Sequence, residues 1–255
     1  MIKKTILALL RNRGYTISKI NKLGLTPDIT DKKFLDIYEF CKPYSMTSIE
    51  RMYSLYCSVN YIIQNNIKGD FVECGVWRGG SAMLIAKTLN YNNENTRKIF
   101  LYDTFEGMSN PAEMDKDILG REAKVQLQNT IKSNPKSIWC YSSIDEVREN
   151  LTRTNYPINN FQLIKGKVED TLPGIMLPDS ISLLRLDTDF YESTLHELKH
   201  LYPLLSKNGV LIIDDYGHWQ GCKQAVDEYF DKENISLLLN RIDYTGRVAI
   251  KTISN

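Results

Sequence analysis

The sequence lacks any run near the roughly 20 apolar residues that a membrane-spanning helix needs, and its longest apolar stretches are strand-sized. It has no Cys-x-x-Cys pair. Its five cysteines, Cys41, Cys57, Cys74, Cys140 and Cys222, are scattered through 255 residues. An odd, dispersed set does not read as a disulfide framework, so a reducing, cytoplasmic compartment is expected. Charge of one sign is also missing: 32 Lys and Arg stand against 31 Asp and Glu. That balance points away from nucleic acid and anionic membranes, and no acidic tail is present. Internal repeats and low-complexity linkers are absent too. The length then suits one large α/β domain or two small ones. Near the start, Lys3 and Lys4 precede Ile6 to Leu10, which imitates a signal peptide. Arg11 and Arg13 cut that run short and no small-residue cleavage site follows, so a short basic surface helix is expected over Met1–Ile20.

What is present is rhythm. Residues 1–33 read as an appendage. Spaced apolar positions in 34–66 (Phe34, Ile37, Phe40, then Ile49, Met52, Leu55, Tyr56, Val59, Ile62, Ile63) suit helices. From Asp70 the pattern becomes strand and helix in turn: strands at 70–76, 98–103, 161–165, 181–186 and 210–213, helices at 81–89, 191–206 and 221–231. The helix from Tyr191 is expected to end at Asn208-Gly209 in a left-handed cap. Residues 235–244 and 247–252 flank Thr245-Gly246 and read as a closing antiparallel pair. Such alternation predicts a mostly parallel sheet covered on both faces, with ligands outside the carboxyl ends of its strands. The stretch 106–160 is long and polar between two strands, as lids and substrate-binding insertions often are. The expected organisation is therefore an N-terminal helical segment, 1–66, covering the site, and a Rossmann-like domain, 67–255.

The strand ends carry the chemistry. The first runs into Glu73-Cys-Gly75-Val-Trp77-Arg-Gly79-Gly80-Ser81 and opens a helix. Its glycines allow close backbone approach, and the helix N-terminus offers free amides. The second strand ends in Asp103-Thr104, where a carboxylate can accept ribose hydroxyls. The spacing is G-x-x-x-G-G rather than the dinucleotide G-x-G-x-x-G, which disfavours a pyrophosphate ligand and hence a nucleotide-dependent dehydrogenase or epimerase. The fourth strand ends in Asp187-Thr188-Asp189 and the fifth in Asp214-Asp215. Carboxylates gathered in one crevice repel and raise one another's pKa. A hard divalent cation relieves that repulsion, and an all-oxygen ligand set suits Mg²⁺, Mn²⁺ or Ca²⁺ better than Zn²⁺. Helix caps and solvated turns would also explain single aspartates after strands, but four at two strand ends favour the metal reading.

His196-Glu-Leu-Lys-His200 is literally the H-E-x-x-H of zinc proteases. On a helical wheel Leu195, Leu198, Tyr202 and Leu205 share a face, and both histidines fall nearly opposite, toward solvent. The remaining histidine, His218, offers no obvious third zinc ligand. It follows the aspartate pair, as a turn residue or as a substrate contact or proton relay.

The blocks Gly69–Ser81, Tyr102-Asp-Thr-Phe-Glu-Gly-Met108, Leu184-Arg-Leu-Asp-Thr-Asp-Phe-Tyr-Glu-Ser-Thr194 and Asp214-Asp-Tyr-Gly-His-Trp219, in this order, closely resemble the macrocin O-methyltransferase (TylF-like) family. The resemblance runs from about Tyr44 to Lys251. It implies a class I methyltransferase fold with seven strands, mostly parallel, the last antiparallel, and S-adenosyl-L-methionine as cofactor. It implies Mg²⁺-dependent methylation of a sugar hydroxyl. Carried over by position, Glu73, Gly75, Trp77, Gly79, Ser81, Asp103, Thr104 and Asp187 match cofactor-binding positions. Asp187, Asp214 and Asp215 match metal ligands, Asp189 matches the proposed general base with Asp187, on the same side of its strand, as the alternative base, and His218 stands beside them as a further catalytic candidate. Phe190 replaces a tryptophan usual in the family, which removes no polar function. Rival readings are a metal-dependent O-methyltransferase of a catechol-like phenol and a non-catalytic nucleoside-binding module. A homodimer through the N-terminal helices is expected only by analogy.

Overall fold

The computed structural model describes residues 10–13, 26, 28–132, 134, 137–174 and 176–252. The helix expected over Met1–Ile20 lies outside these apart from 10–13. Two helices come first. Asp31 caps α1 (Lys32–Cys41) by accepting from the Lys33 and Phe34 amides, and Ser48 caps α2 (Ile49–Gln64) by accepting from the Arg51 amide. These bonds satisfy donors that a helix start leaves orphaned.

A seven-stranded sheet follows, in the order β3-β2-β1-β4-β5-β7-β6. Its strands are β1 (Asp70–Cys74), β2 (Ile99–Asp103), β3 (Phe161–Lys165), β4 (Ile181–Leu186), β5 (Leu205–Ile213), β6 (Asn240–Arg241) and β7 (Arg247–Ile250). The first five pair in parallel; β7 runs antiparallel to β5 and β6. The helices between them are α3 (Gly80–Tyr91), α4 (Ala123–Gln128), α5 (Ile144–Thr152), α6 (Val168–Thr171), α7 (Tyr191–Leu201) and α8 (Gln220–Lys232).

Because side chains alternate along a strand, neighbours divide between two cores. Phe71, Leu101, Leu183 and Ile212 pack with α1, α2, α3 and α5, while Val72, Tyr102, Leu184 and Ile213 pack with α7 and α8. Strand order reverses between β1 and β4, and the ends of those strands form the crevice where such sheets take ligands.

The observed elements shift several expected boundaries. The helix from Tyr191 stops at Leu201, because Pro203 enters a 3-10 turn over Tyr202–Leu204 and β5 already begins at Leu205. Asn208 does take a left-handed φ of 63°, but inside β5, where its amide donates to the Lys251 carbonyl at 2.6 Å. It is a strand irregularity and not a helix cap. The closing pair is shorter than its sequence pattern, with 235–239 outside any strand. The polar stretch 106–160 contains α4 and α5, whose short apolar faces the sequence reading missed.

Candidate active site

β1 runs directly into Gly75, whose φ is +81°. A side chain there would place Cβ 2.0 Å from the Asp187 carbonyl oxygen, so only glycine lets the ends of β1 and β4 approach this closely. Trp77 follows in the left-handed region at φ +48°, a costly place for a bulky residue. What holds it is Asp103, at the end of β2. Its Oδ2 accepts the Val76 and Trp77 amides at 2.7 and 3.1 Å, and its Oδ1 accepts the Phe105 amide at 2.6 Å. Burial raises this carboxyl's pKa while those three amides pull it back down. Thr104 donates to the Gly107 carbonyl at 2.6 Å and closes the next turn.

A cavity of about 430 Å³ opens over these ends, within the usual range for small-molecule sites. Gly75, Trp77, Ser81, Asp103 and Thr104 line one part; Asp187, Asp189, Asp214, Asp215 and His218 line another. Two expected cofactor positions fall outside the lining. Gly79, at φ +87°, turns the chain into α3 and packs toward Val147 and Leu151 of α5. Glu73 is buried in the core at 1% exposure. It stands in register with Arg185 of β4, and the two pair at 2.5 Å.

Arg185 is the centre of the site's electrostatics and is itself only 2% exposed. It reaches Glu73, Asp187 Oδ2 at 2.8 Å and Asp214 Oδ1 at 2.8 Å, and donates to Thr47 Oγ1 at 3.3 Å. A second guanidinium, Arg51 of α2, pairs with Asp214 Oδ2. Neither arginine was singled out from the sequence. Arg185 was legible in principle, as one charge inside the apolar run Ile-Ser-Leu-Leu-Arg-Leu opposite Glu73 in the neighbouring strand.

The four aspartates converge as expected. Ligand oxygens of Asp187, Asp214 and Asp215 lie within 4.8 Å of one another. Burial raises the pKa of Asp187 and Asp215 well above the usual carboxylate range, and each is raised further by the neighbouring aspartates. Asp189 sits at the strand-to-helix turn with φ +68° and is pushed up to about 7, by burial first and by Asp187 next. Asp215 Oδ2 is buried without a hydrogen-bond partner. An all-oxygen donor set with a buried, unpaired oxygen fits a hard divalent cation.

His218 lines the cavity, with Nδ1 3.3 Å from the Tyr244 hydroxyl and its ring edge-on to Trp219 at 5.1 Å. Burial lowers its pKa. Tyr44, Ser45, Met46 and Thr47, ahead of α2, line the same cavity.

The H-E-x-x-H segment makes no zinc site. His196 and His200 are half-buried rather than turned to solvent, and His196 Nε2 lies 2.7 Å from the Leu172 carbonyl oxygen. The buried face of α7 includes Ser193, Thr194, Glu197 and Leu198. Glu197 is wholly buried, receives the Thr188 hydroxyl at 3.1 Å, and has its pKa raised well above normal by burial. The motif thus hid a core carboxyl behind the Asp187-Thr188-Asp189 turn. On the other side of that turn, Asp115 Oδ1 accepts the Tyr191 amide at 2.8 Å.

A model of the Macrocin-O-methyltransferase (TylF) family matches residues 35–251. Demethyldecarbamoylnovobiocin O-methyltransferase of Streptomyces niveus is 34% identical over 203 residues, covering 80% of this chain and 74% of that protein. The 8-demethyl-8-(2,3-dimethoxy-alpha-L-rhamnosyl)-tetracenomycin-C 4'-O-methyltransferase of Streptomyces olivaceus is 32% identical over 203 residues, with the same coverage of 80% and 74%. Among solved structures, the O-methyltransferase NovP matches with a TM-score of 0.72 and 33% identity, over 82% of this chain and 83% of that one. With its glycine loop, its strand-end aspartates and these matches, the chain belongs to the macrocin O-methyltransferase family and is an S-adenosylmethionine-dependent O-methyltransferase.

Proposed function

We propose that this enzyme methylates a sugar hydroxyl and depends on a divalent cation, Mg²⁺ or Mn²⁺, held by Asp187, Asp214 and Asp215. The observation that carries the reading is the meeting of those three carboxylates, within 4.8 Å of one another, in the cavity that the glycine loop and Asp103 also line. Gly75, Trp77, Ser81, Asp103 and Thr104 are the cofactor contacts. Glu73 and Gly79 support that loop from behind, since neither lines the cavity.

S-adenosylmethionine supplies a methyl group already activated on sulfur. A divalent ion at the carboxylates would lower the acceptor hydroxyl's pKa and orient its oxygen. The acceptor oxygen forms the new O–C bond as the S–C bond breaks, and Asp189 takes the hydroxyl proton. Asp189 is suited to this because its turn is clamped by Glu197 through Thr188 and by Asp115 through Tyr191. His218 faces the acceptor with Tyr244. Alignment of oxygen and methyl accounts for much of the remaining rate.

The names of the relatives, one of which specifies a rhamnosyl group, favour a sugar over a catechol-like phenol. The polar side chains of Ser45, Thr47 and His218 at the cavity fit hydroxyl-rich acceptors. A lid role for 106–160, a covering role for 1–66 and a homodimer belong to the same reading. So does a cytoplasmic location, which the five free cysteines suit; among the described residues, no helix is long and apolar enough to cross a membrane.

The test is a methyl-transfer screen of glycoside, nucleotide-sugar and phenol acceptors, with Mg²⁺ or with a chelator. Turnover of sugars that chelation abolishes is the expected result. Turnover of phenols alone, or full activity in chelator, would reject the sugar and metal assignments respectively.

A further inference from the structure

The two guanidinium groups on Asp214 differ in kind. Arg185 is locked in the core by carboxylates on three strand ends. Arg51 comes from α2, outside the sheet, with its side chain 14% exposed. Its guanidinium is shared between Asp214 and Asp243, whose Oδ2 lies 3.1 Å from Arg51 Nε. That second contact is incomplete, because Arg51 Nε is buried without an aligned hydrogen bond.

Asp243 belongs to the turn between β6 and β7. It also accepts the Ser48 hydroxyl at 2.7 Å and the Thr245 and Gly246 amides at 2.9 and 2.7 Å. Gly246 lies against the Arg51 stem, where a Cβ would fall 2.8 Å from Cδ. Arg51 therefore joins three parts: the carboxylate cluster, the β6–β7 turn, and the start of α2. Residues 44–47, just ahead of α2, line the cavity together with Arg51 itself.

A guanidinium and a divalent cation held by Asp214 would address the same carboxylate from within a few ångströms. Like charges that close, in a half-buried setting, oppose each other strongly. Resting on the metal reading above, we propose that Arg51 is the counter-cation of Asp214 when no divalent ion is bound, that it turns to Asp243 as the ion binds, and that it thereby sets metal affinity and couples it to segment 44–51. Asp243 is the landing site. Its acceptor positions are already fixed by the turn, so Arg51 can complete that pair without rebuilding the hairpin. Coupling of this kind is reciprocal: whatever orders 44–51, including an acceptor, changes affinity for the ion by the same factor.

The experiment is a Mn²⁺ titration of the full chain, followed by the spin-resonance signal of free Mn²⁺, with no cofactor or acceptor present. Arg51→Met is expected to bind Mn²⁺ roughly tenfold or more tightly than wild type, and Arg51→Lys to fall between. Asp243→Asn, which removes the landing site and leaves Arg51 on Asp214, is expected to bind more weakly than wild type. Hydrogen exchange of amides 44–51 should respond to Mn²⁺ in the wild type and not in Arg51→Met. Unchanged or weaker binding by Arg51→Met and Arg51→Lys would overturn the proposal and make Arg51 a fixed brace. If Arg51→Met does not fold, Arg51→Lys and Asp243→Asn decide. Absence of Mn²⁺ binding by every protein, wild type included, would remove the metal reading itself, a result distinct from the others.

Discussion

Single residues divide the work of the carboxylate cluster. Asp189 is the residue whose loss should be felt in chemistry rather than binding. Asp189→Asn is expected to lower kcat by roughly two to four orders of magnitude, the usual worth of a positioned base. Its affinity for S-adenosylhomocysteine by calorimetry should stay within about threefold of wild type, since no charge at the glycine loop is altered. An affinity loss matching the rate loss would place Asp189 in cofactor binding instead. Glu197 carries a pH signature. Unfolded, it titrates near its ordinary value of 4.5; folded, burial holds it well above. Between those values the folded chain keeps a proton that the unfolded chain releases. Its contribution to stability is therefore full below about pH 4.5 and is lost as pH rises through the folded value. Glu197→Gln, neutral throughout, should lose less stability than wild type between pH 5 and pH 8, measured by urea midpoints. Parallel wild-type and variant profiles would mean that Glu197 is ionised in the fold.

Secondary elements show how much of this was legible beforehand. The parallel strands could be read from continuous apolar runs bounded by glycine or aspartate, because a strand buried on both faces has few other solutions. β4, buried along its whole length, begins and ends where its run does. The helix after β4 was overextended, since Leu201, Tyr202, Leu204 and Leu205 keep an apolar pattern through a proline that the backbone cannot accommodate mid-helix. The aspartates were visible because strand ends fix their place in the sequence. Arg51 was not, because its partner Asp214 is 163 residues away and on another layer. Nor was the support given by Asp115, an insertion residue that meets α7 only in three dimensions. The close approach of β1 and β4 gives a sharper test. Gly75→Ala would put a methyl at a position the Asp187 backbone already occupies, at φ +81°. It should destabilise the fold by at least about 2 kcal/mol. An unchanged urea midpoint would show that the two strand ends separate freely.

At the scale of the whole molecule, α1 and α2 are not detachable from the sheet. Met52, Leu55, Val59 and Ile62 are buried in one cluster with Phe71, Leu183 and Ile212. Leu55→Ala is therefore expected to cost about 2–5 kcal/mol, and the chain should still unfold in a single transition by circular dichroism and by fluorescence. An early, separate loss of helix signal would mean that the N-terminal helices fold as their own unit. The chain also carries an optical consequence of its architecture. Its three tryptophans are Trp77, Trp139 and Trp219; the first and last line the cavity, and Trp139 sits between Ile138 and Cys140, which do. Two of the three tryptophans therefore stand in the wall of that cavity, and part of the intrinsic emission should report on what fills it. A change in that emission on adding cofactor, cation or acceptor would follow binding without a label and without turnover.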